Sequence, residues 1–165
     1  MKTFLKYSLL MAVVLVSVVA LTACGGNSDD DPGKRINVTT GVHRIDVEFS
    51  GVTDGWDLQT MFIGAYKDQT NVNLYENGQK INETAGSFMG KVFRNYSVET
   101  DPDCDIFQVT VSLILKNSAA GTVTVTLRGY VNGQQKNMKV YEFKPDAQVK
   151  SCVFSAEDIG IDMMK

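Results

Sequence analysis

From Ile36 onward, apolar and polar residues alternate with a period of two, the mark of half-buried β-strands. In residues 42–49, Ile45, Val47 and Phe49 share one face and Arg44, Asp46 and Glu48 the other. Residues 56–63 keep Trp56, Leu58 and Phe62 in phase, and residues 91–99 do the same with Val92, Tyr96 and Val98. Residues 72–76 and 79–84 flank Asn77-Gly78, a dipeptide that supplies the positive φ angles of a type I′ hairpin turn. The longest alternations follow. Residues 105–116 run through Phe107, Val109, Val111, Leu113 and Leu115, and residues 122–132 through Val123, Val125, Leu127 and Val131. Asn132-Gly133 repeats the turn signal before residues 134–143, so these three strands read as an antiparallel meander. Pro145 breaks the run and residues 149–155 form a last strand, while residues 156–161 have room for one short turn. About eight short strands predict an all-β fold, an antiparallel two-sheet sandwich of immunoglobulin-like type over residues 36–165. A small calycin-like β-barrel is the alternative, because both folds use the same alternation.

The beginning of the chain has a different pattern. Lys2 and Lys6 precede an apolar run from Leu9 to Leu21, which at 13 residues is shorter than the roughly 20 needed to cross a bilayer and suits a secretory signal. Leu21-Thr22-Ala23-Cys24 follows: an aliphatic residue, two small residues and a cysteine. This segment resembles the lipobox of bacterial lipoproteins. The resemblance implies that residues 1–23 are a signal peptide and that Cys24 is lipidated (palmitate among its acyl chains). Next comes Ser28-Asp29-Asp30-Asp31, which resembles the surface-export signal of Bacteroidota lipoproteins. That implies an outer-membrane protein facing the cell exterior, held to the membrane by its lipid. Residues 24–35 are then a flexible acidic tether. Its Gly, Ser, Asn and Asp content resists folding, and ten such residues reach at most about 35 Å.

Charge and cysteines refine this picture. The 16 Lys and Arg against 19 Asp and Glu give −3, and losing Lys2 and Lys6 with the signal leaves −5. Such a chain lacks the basic footprint that nucleic acid requires. Residues 42–105 are mostly acidic and residues 106–150 mostly basic, an asymmetry that would give the domain a dipole if the halves faced apart. Of the three cysteines, Cys24 is assigned to the lipid. Cys104 and Cys152 remain, and in an oxidising compartment an even pair predicts a disulfide. Closing that loop would add roughly 4 kcal/mol in the chain-entropy model.

Candidate chemistry is sparse. One histidine, His43, excludes a histidine-rich metal site, and its place at a strand start, in phase with Ile45, makes it partly buried or at the rim. There is no G-x-S-x-G elbow, Walker loop or dinucleotide fingerprint. Asp101, Asp103 and Asp105 alternate like the opening of a calcium loop, but Ile106 stands where an EF-hand needs glycine and Ser112 where it needs glutamate. They are weak metal candidates, and a solvated acidic loop is the default. Trp56, Tyr75, Tyr130 and Thr124 are the candidate ligand contacts: aromatic rings can stack on sugars, and residues 110–114 with 122–130 would form a hydroxyl-rich outer face. Trp56 also suits a core position. The expectation is a non-catalytic binding or interaction module without cofactor, taking a glycan, host protein or envelope partner. The alternatives are an accessory subunit of an envelope complex, or a small-ligand carrier with a barrel cavity.

Overall fold

The computed structural model describes residues 38–66, 72–82, 86–159 and 163–164. The signal, lipidation and tether assignments at residues 1–35, including Cys24, lie outside the described residues, as do residues 83–84 of one expected strand and residues 160–161 of the expected short turn. The strands are β1 (His43–Gly51), β2 (Trp56–Ala65), β3 (Leu74–Glu76), β4 (Gln79–Lys80), β5 (Ser87–Gly90), β6 (Tyr96–Thr100), β7 (Ile106–Leu115), β8 (Val123–Val131), β9 (Gln134–Phe143), β10 (Val149–Ser155) and β11 (Met163–Met164). No helix occurs among the described residues.

They form two antiparallel sheets. One has the order β4-β3-β6-β1-β8-β9 and the other β11-β10-β7-β2-β5. The protein is a two-sheet sandwich and does not close into a barrel. Each sheet turns one side inward, as the period of two requires. Ile45, Val47, Val98, Val125 and Leu127 come from the six-stranded sheet, and Leu58, Phe62, Phe107, Val109, Val111 and Phe154 from the five-stranded one. Phe62 stands at the centre of an aromatic group, its ring centroid 6.0 Å from Tyr96 and 6.1 Å from Phe107. Burying each such ring is worth roughly 1.5–3 kcal/mol relative to exposure.

Both Asn-Gly turns form as read. Asn77 and Gly78 have φ of 52° and 74°, and Asn132 and Gly133 have 49° and 77°. The expected meander does not form. β8 pairs with β1 and β9, whereas β7 pairs with β2 and β10 in the other sheet. The segment from Lys116 to Thr122 therefore crosses between sheets instead of closing a hairpin. Trp56 fixes that crossover: its indole Nε1 donates to the Gly121 carbonyl at 2.8 Å.

The disulfide expectation also needs correction: no bond joins Cys104 and Cys152. Cys104 lies just before β7, the neighbour of the β10 strand that holds Cys152, but the register keeps the two thiols apart. Cys152 lies opposite Val111, seven positions along the ladder from Cys104. At about 3.3 Å per residue that is on the order of 20 Å, far beyond the Cα separation of about 4.4–6.8 Å that a disulfide spans. Cys104 instead donates weakly to the carbonyls of Ile106 and Ala65, at 3.2 and 3.6 Å. Burial pushes its thiol up to about 11.

Candidate functional site: the outer face of the six-stranded sheet

The outward side chains of β1, β6 and β8 form rows set by the strand register. Glu99, Arg44 and Tyr130 make one row, and Ser97, Asp46 and Arg128 the next. Tyr75 extends the first row, because it pairs with Glu99. Thr124 stands at the far end of the same face, opposite Ser50. Three of the four candidate ligand contacts thus share one surface. Trp56 does not: it is 4% exposed and packs in the core with Leu58 and Phe62. It turns inward because it shares their parity, so it has no ring face to offer a ligand.

The hydroxyl-rich face divides accordingly. Thr110, Ser112 and Ile114 belong to the five-stranded sheet and lie on the opposite side of the sandwich from Thr124 and Tyr130. The strands of the acidic and basic halves of the sequence sit side by side in this sheet, β4, β3, β6 and β1 followed by β8 and β9, and the two halves meet at the β1–β8 seam, where Arg128 pairs with Glu48 at 2.9 Å.

The face holds an open cleft of about 310 Å³ lined by Asp46, Glu48, Glu76, Asn77, Arg94, Asn95, Tyr96 and Ser97. It exists because β3 and β4 are short. Their hairpin turns at Asn77-Gly78 and leaves the first half of β6 uncovered, while the segment between β5 and β6 supplies Arg94 and Asn95 as the opposite wall. Arg94 grips Glu76 through two bonds of 2.7 Å, and its guanidinium lies 4.0 Å over the Tyr96 ring. That pair holds the Arg94 pKa above its ordinary value, chiefly through the hydrogen bonds to Glu76. Tyr96 is itself anchored, its hydroxyl donating to the Val92 carbonyl at 2.6 Å. On the floor, Ser97 donates to Asp46 at 2.7 Å and Arg44 lies 3.2 Å from the same carboxylate. Arg44 also lies 4.0 Å over the Tyr130 ring. Every charged group of the cleft is therefore oriented by a partner.

The calcium-like run has a different role. Asp101 accepts four hydrogen bonds: from the hydroxyls of Tyr66 (2.8 Å) and Tyr75 (3.0 Å), and from the backbone and side-chain nitrogens of Asn73 (both 2.8 Å). Burial acts to raise the Asp101 pKa, but these donors outweigh it and hold the carboxyl below its ordinary range. Burial and the bond to Asp101 push Tyr66 up to about 12. Asp105 is buried and accepts from the Thr40 hydroxyl, whereas Asp103 is exposed. Among the described residues, no three acidic, histidine or cysteine side chains converge as a metal site. Tyr75 thus has two roles, an edge of the outer face and a clamp on Asp101.

His43 is fully buried rather than partly buried or at the rim. Its Nε2 donates to the Thr39 carbonyl at 2.7 Å and its Nδ1 has no partner. Burial lowers its pKa, opposed by the Thr39 bond and by the charges of Glu157 and Asp105. The cleft is not legible in the alternation, although the opposite charges of Glu76, beside the Asn77-Gly78 turn, and Arg94, just before β6, are a usable signal.

No family model matches this chain, and no curated protein does. Three solved structures share its architecture. A DUF4425 family protein from Bacteroides ovatus is 28% identical, aligns over 72% of this chain and 97% of its own, and has a TM-score of 0.60. A DUF4425 domain of unknown function from Bacteroides vulgatus is 22% identical over 74% and 99%, with a TM-score of 0.63. The calcium-bound form of a protein from Parabacteroides distasonis is 12% identical over 84% and 99%, with a TM-score of 0.54. The fold is theirs. The matches span nearly the whole of each neighbour.

Proposed function

We propose that this protein is a lipid-anchored cell-surface binding module without catalytic activity, and that its ligand is a glycan held in the Asp46–Arg94 cleft. The carrying observation is the cleft itself, where carboxylates and an arginine are pre-positioned by pairing and stand beside two asparagines. Such a lining offers fixed acceptors and donors to a polyhydroxyl ligand with little reorganisation. Tyr130 and Tyr75 stand on the same face with two strands, β1 and β6, between them. Glu76 is locked to Arg94 and Glu48 to Arg128, an arrangement that orients acceptors rather than supplying a nucleophile or a proton donor. The address rests on Leu21-Thr22-Ala23-Cys24 and Ser28-Asp29-Asp30-Asp31, and the origin of the neighbours in Bacteroides and Parabacteroides fits it.

Two experiments test this reading. Protease applied to intact cells should digest the protein while a periplasmic control survives; protection that ends only on lysis would place it inside. A glycan array should give a defined saccharide set that Asp46→Asn and Arg94→Ala lose and Thr110→Ala, in the other sheet, retains. A silent array together with one dominant cross-linked envelope protein would replace the glycan with a protein partner. Running the array with calcium and again with chelator separates a metal-dependent contact, since one neighbour is described in a calcium-bound form.

A further inference from the structure

The sandwich has four sheet edges, and three are short. β4 and β11 have two residues each and β5 has four, whereas β9 has ten. β9 pairs with β8 on one side only and is exposed over most of its length. A long open edge is a template for another strand, and proteins ordinarily shorten or cover it. This edge carries two of the protein's most exposed large apolar residues, Met138 at 47% and Val140 at 55%. Both lie on the outer face, opposite Arg128 and Thr126. The bulge at Gly129/Tyr130 disturbs only the start of the strand and leaves a regular ladder from Asn137 to Phe143.

We propose that β9 is a self-association edge at which a second copy of this chain pairs antiparallel. The sequence Lys136-Asn137-Met138-Lys139-Val140-Tyr141-Glu142 complements itself when reversed. With Met138 opposite the second copy's Val140, Lys136 falls opposite the second copy's Glu142, and the two-fold axis repeats both pairs. An apolar centre is then flanked by an ion pair at each end, as favourable cross-strand pairing requires. Lys136 sits at the bulge, and its four-carbon stem gives it the reach for this contact. Lys139 meets its own copy on the opposite side of the sheet, where two long stems can splay into water. The product is one continuous sheet of two six-stranded halves, with both clefts on the same outer face. An isologous contact of this kind closes on itself and stops at two copies.

Charge reversal tests the pairing. Sedimentation of the purified full chain in detergent, over a concentration series, should show a monomer–dimer equilibrium. Lys136→Glu and Glu142→Lys should each weaken it about tenfold, the combined effect of two small edge pairs changed from attractive to repulsive. Carrying both reversals should restore it, and Met138→Lys should abolish it. Circular dichroism confirms that each variant stays folded. As a second readout, mixing Met138→Cys copies with Val140→Cys copies should give a disulfide-linked heterodimer, because directly opposed strand residues lie within bonding reach. A chain that stays monomeric throughout, or a dimer indifferent to Lys136→Glu, Glu142→Lys and Met138→Lys alike, would overturn the proposal.

Discussion

Gly129 of β8 lies directly against the backbone carbonyl of Ala156: a Cβ placed on Gly129 would sit 2.1 Å from that oxygen. The chain leaving β10 crosses the inner side of the other sheet at this point, and beside it Asn137 donates to the Ser155 carbonyl at 2.9 Å. Neither neighbour is a flexible side chain, so nothing can move aside cheaply. Gly129→Ala should lower stability by about 1–3 kcal/mol, the usual cost of overpacking. Urea denaturation of the purified domain measures it, and an unchanged midpoint would mean that the crossing relaxes freely.

Asp101 ties three segments of chain together through one carboxylate. Asp101→Asn keeps the shape but loses the charge that four donors share, and it puts a donor where only acceptors fit. The expected loss at neutral pH is about 2 kcal/mol, in the range for hydrogen bonds to a charged group. Because the folded Asp101 pKa is depressed, this contribution is present above the ordinary carboxylate range and lost as pH falls through the folded value. The difference between wild type and variant should therefore shrink in acid, which thermal melts at a series of pH values would show.

His43 should give a second pH signature of the same sign in a higher window. Burial lowers its pKa in the folded state, so the unfolded chain binds a proton first as pH falls below about 6.5. Stability is full above that value and declines below it until the folded histidine also titrates. His43→Gln keeps a donor for the Thr39 carbonyl but cannot titrate. Its melting temperature should be flat between pH 7 and 5 where the wild type slopes, and equal slopes would assign the effect to other groups.

Cys104 and Cys152 should behave as thiols in the oxidised protein. Unfolding without reductant in the presence of iodoacetamide should label both, and peptide mapping should find no linked pair. Reductant should leave the melting temperature unchanged. A linked peptide would require the β7–β10 register to shift by several residues.

How far the sequence alone leads depends on the kind of information each feature needs. The alternation of β1, β7 and β8 reports burial on one face, and the Asn-Gly turns report their own backbone angles, so both could be read directly. Which sheet a strand joins is not local information. β7 and β8 alternate identically whether they are neighbours or lie across the core, and their connection suits either arrangement. β5 escaped notice because its four residues, Ser87–Gly90, have no alternation to detect. In the site, the outward parity of Tyr130 and Thr124 and the place of Tyr75 just before a hairpin turn are legible along the chain, and the three do share a surface. The cleft arises from the shortness of β3 and β4 and from the path of residues 91–95, which no periodicity encodes. The aspartates at 101–105 showed a ligand-like spacing, but the partners of Asp101 come from Tyr66, Asn73 and Tyr75, distant along the chain.

β1 opens the domain yet lies inside its sheet, bonded to β6 on one side and to β8 along its full nine residues on the other. Any pull transmitted from the preceding segment enters the fold through this strand. An edge strand would peel away one bond at a time under such a pull. β1 can slide only if bonds on both flanks break together, and Glu157 adds a grip on the approach through the backbone and hydroxyl of Thr39. The strand order thus gives the fold mechanical resistance on both flanks of β1, where a load from the preceding chain would arrive.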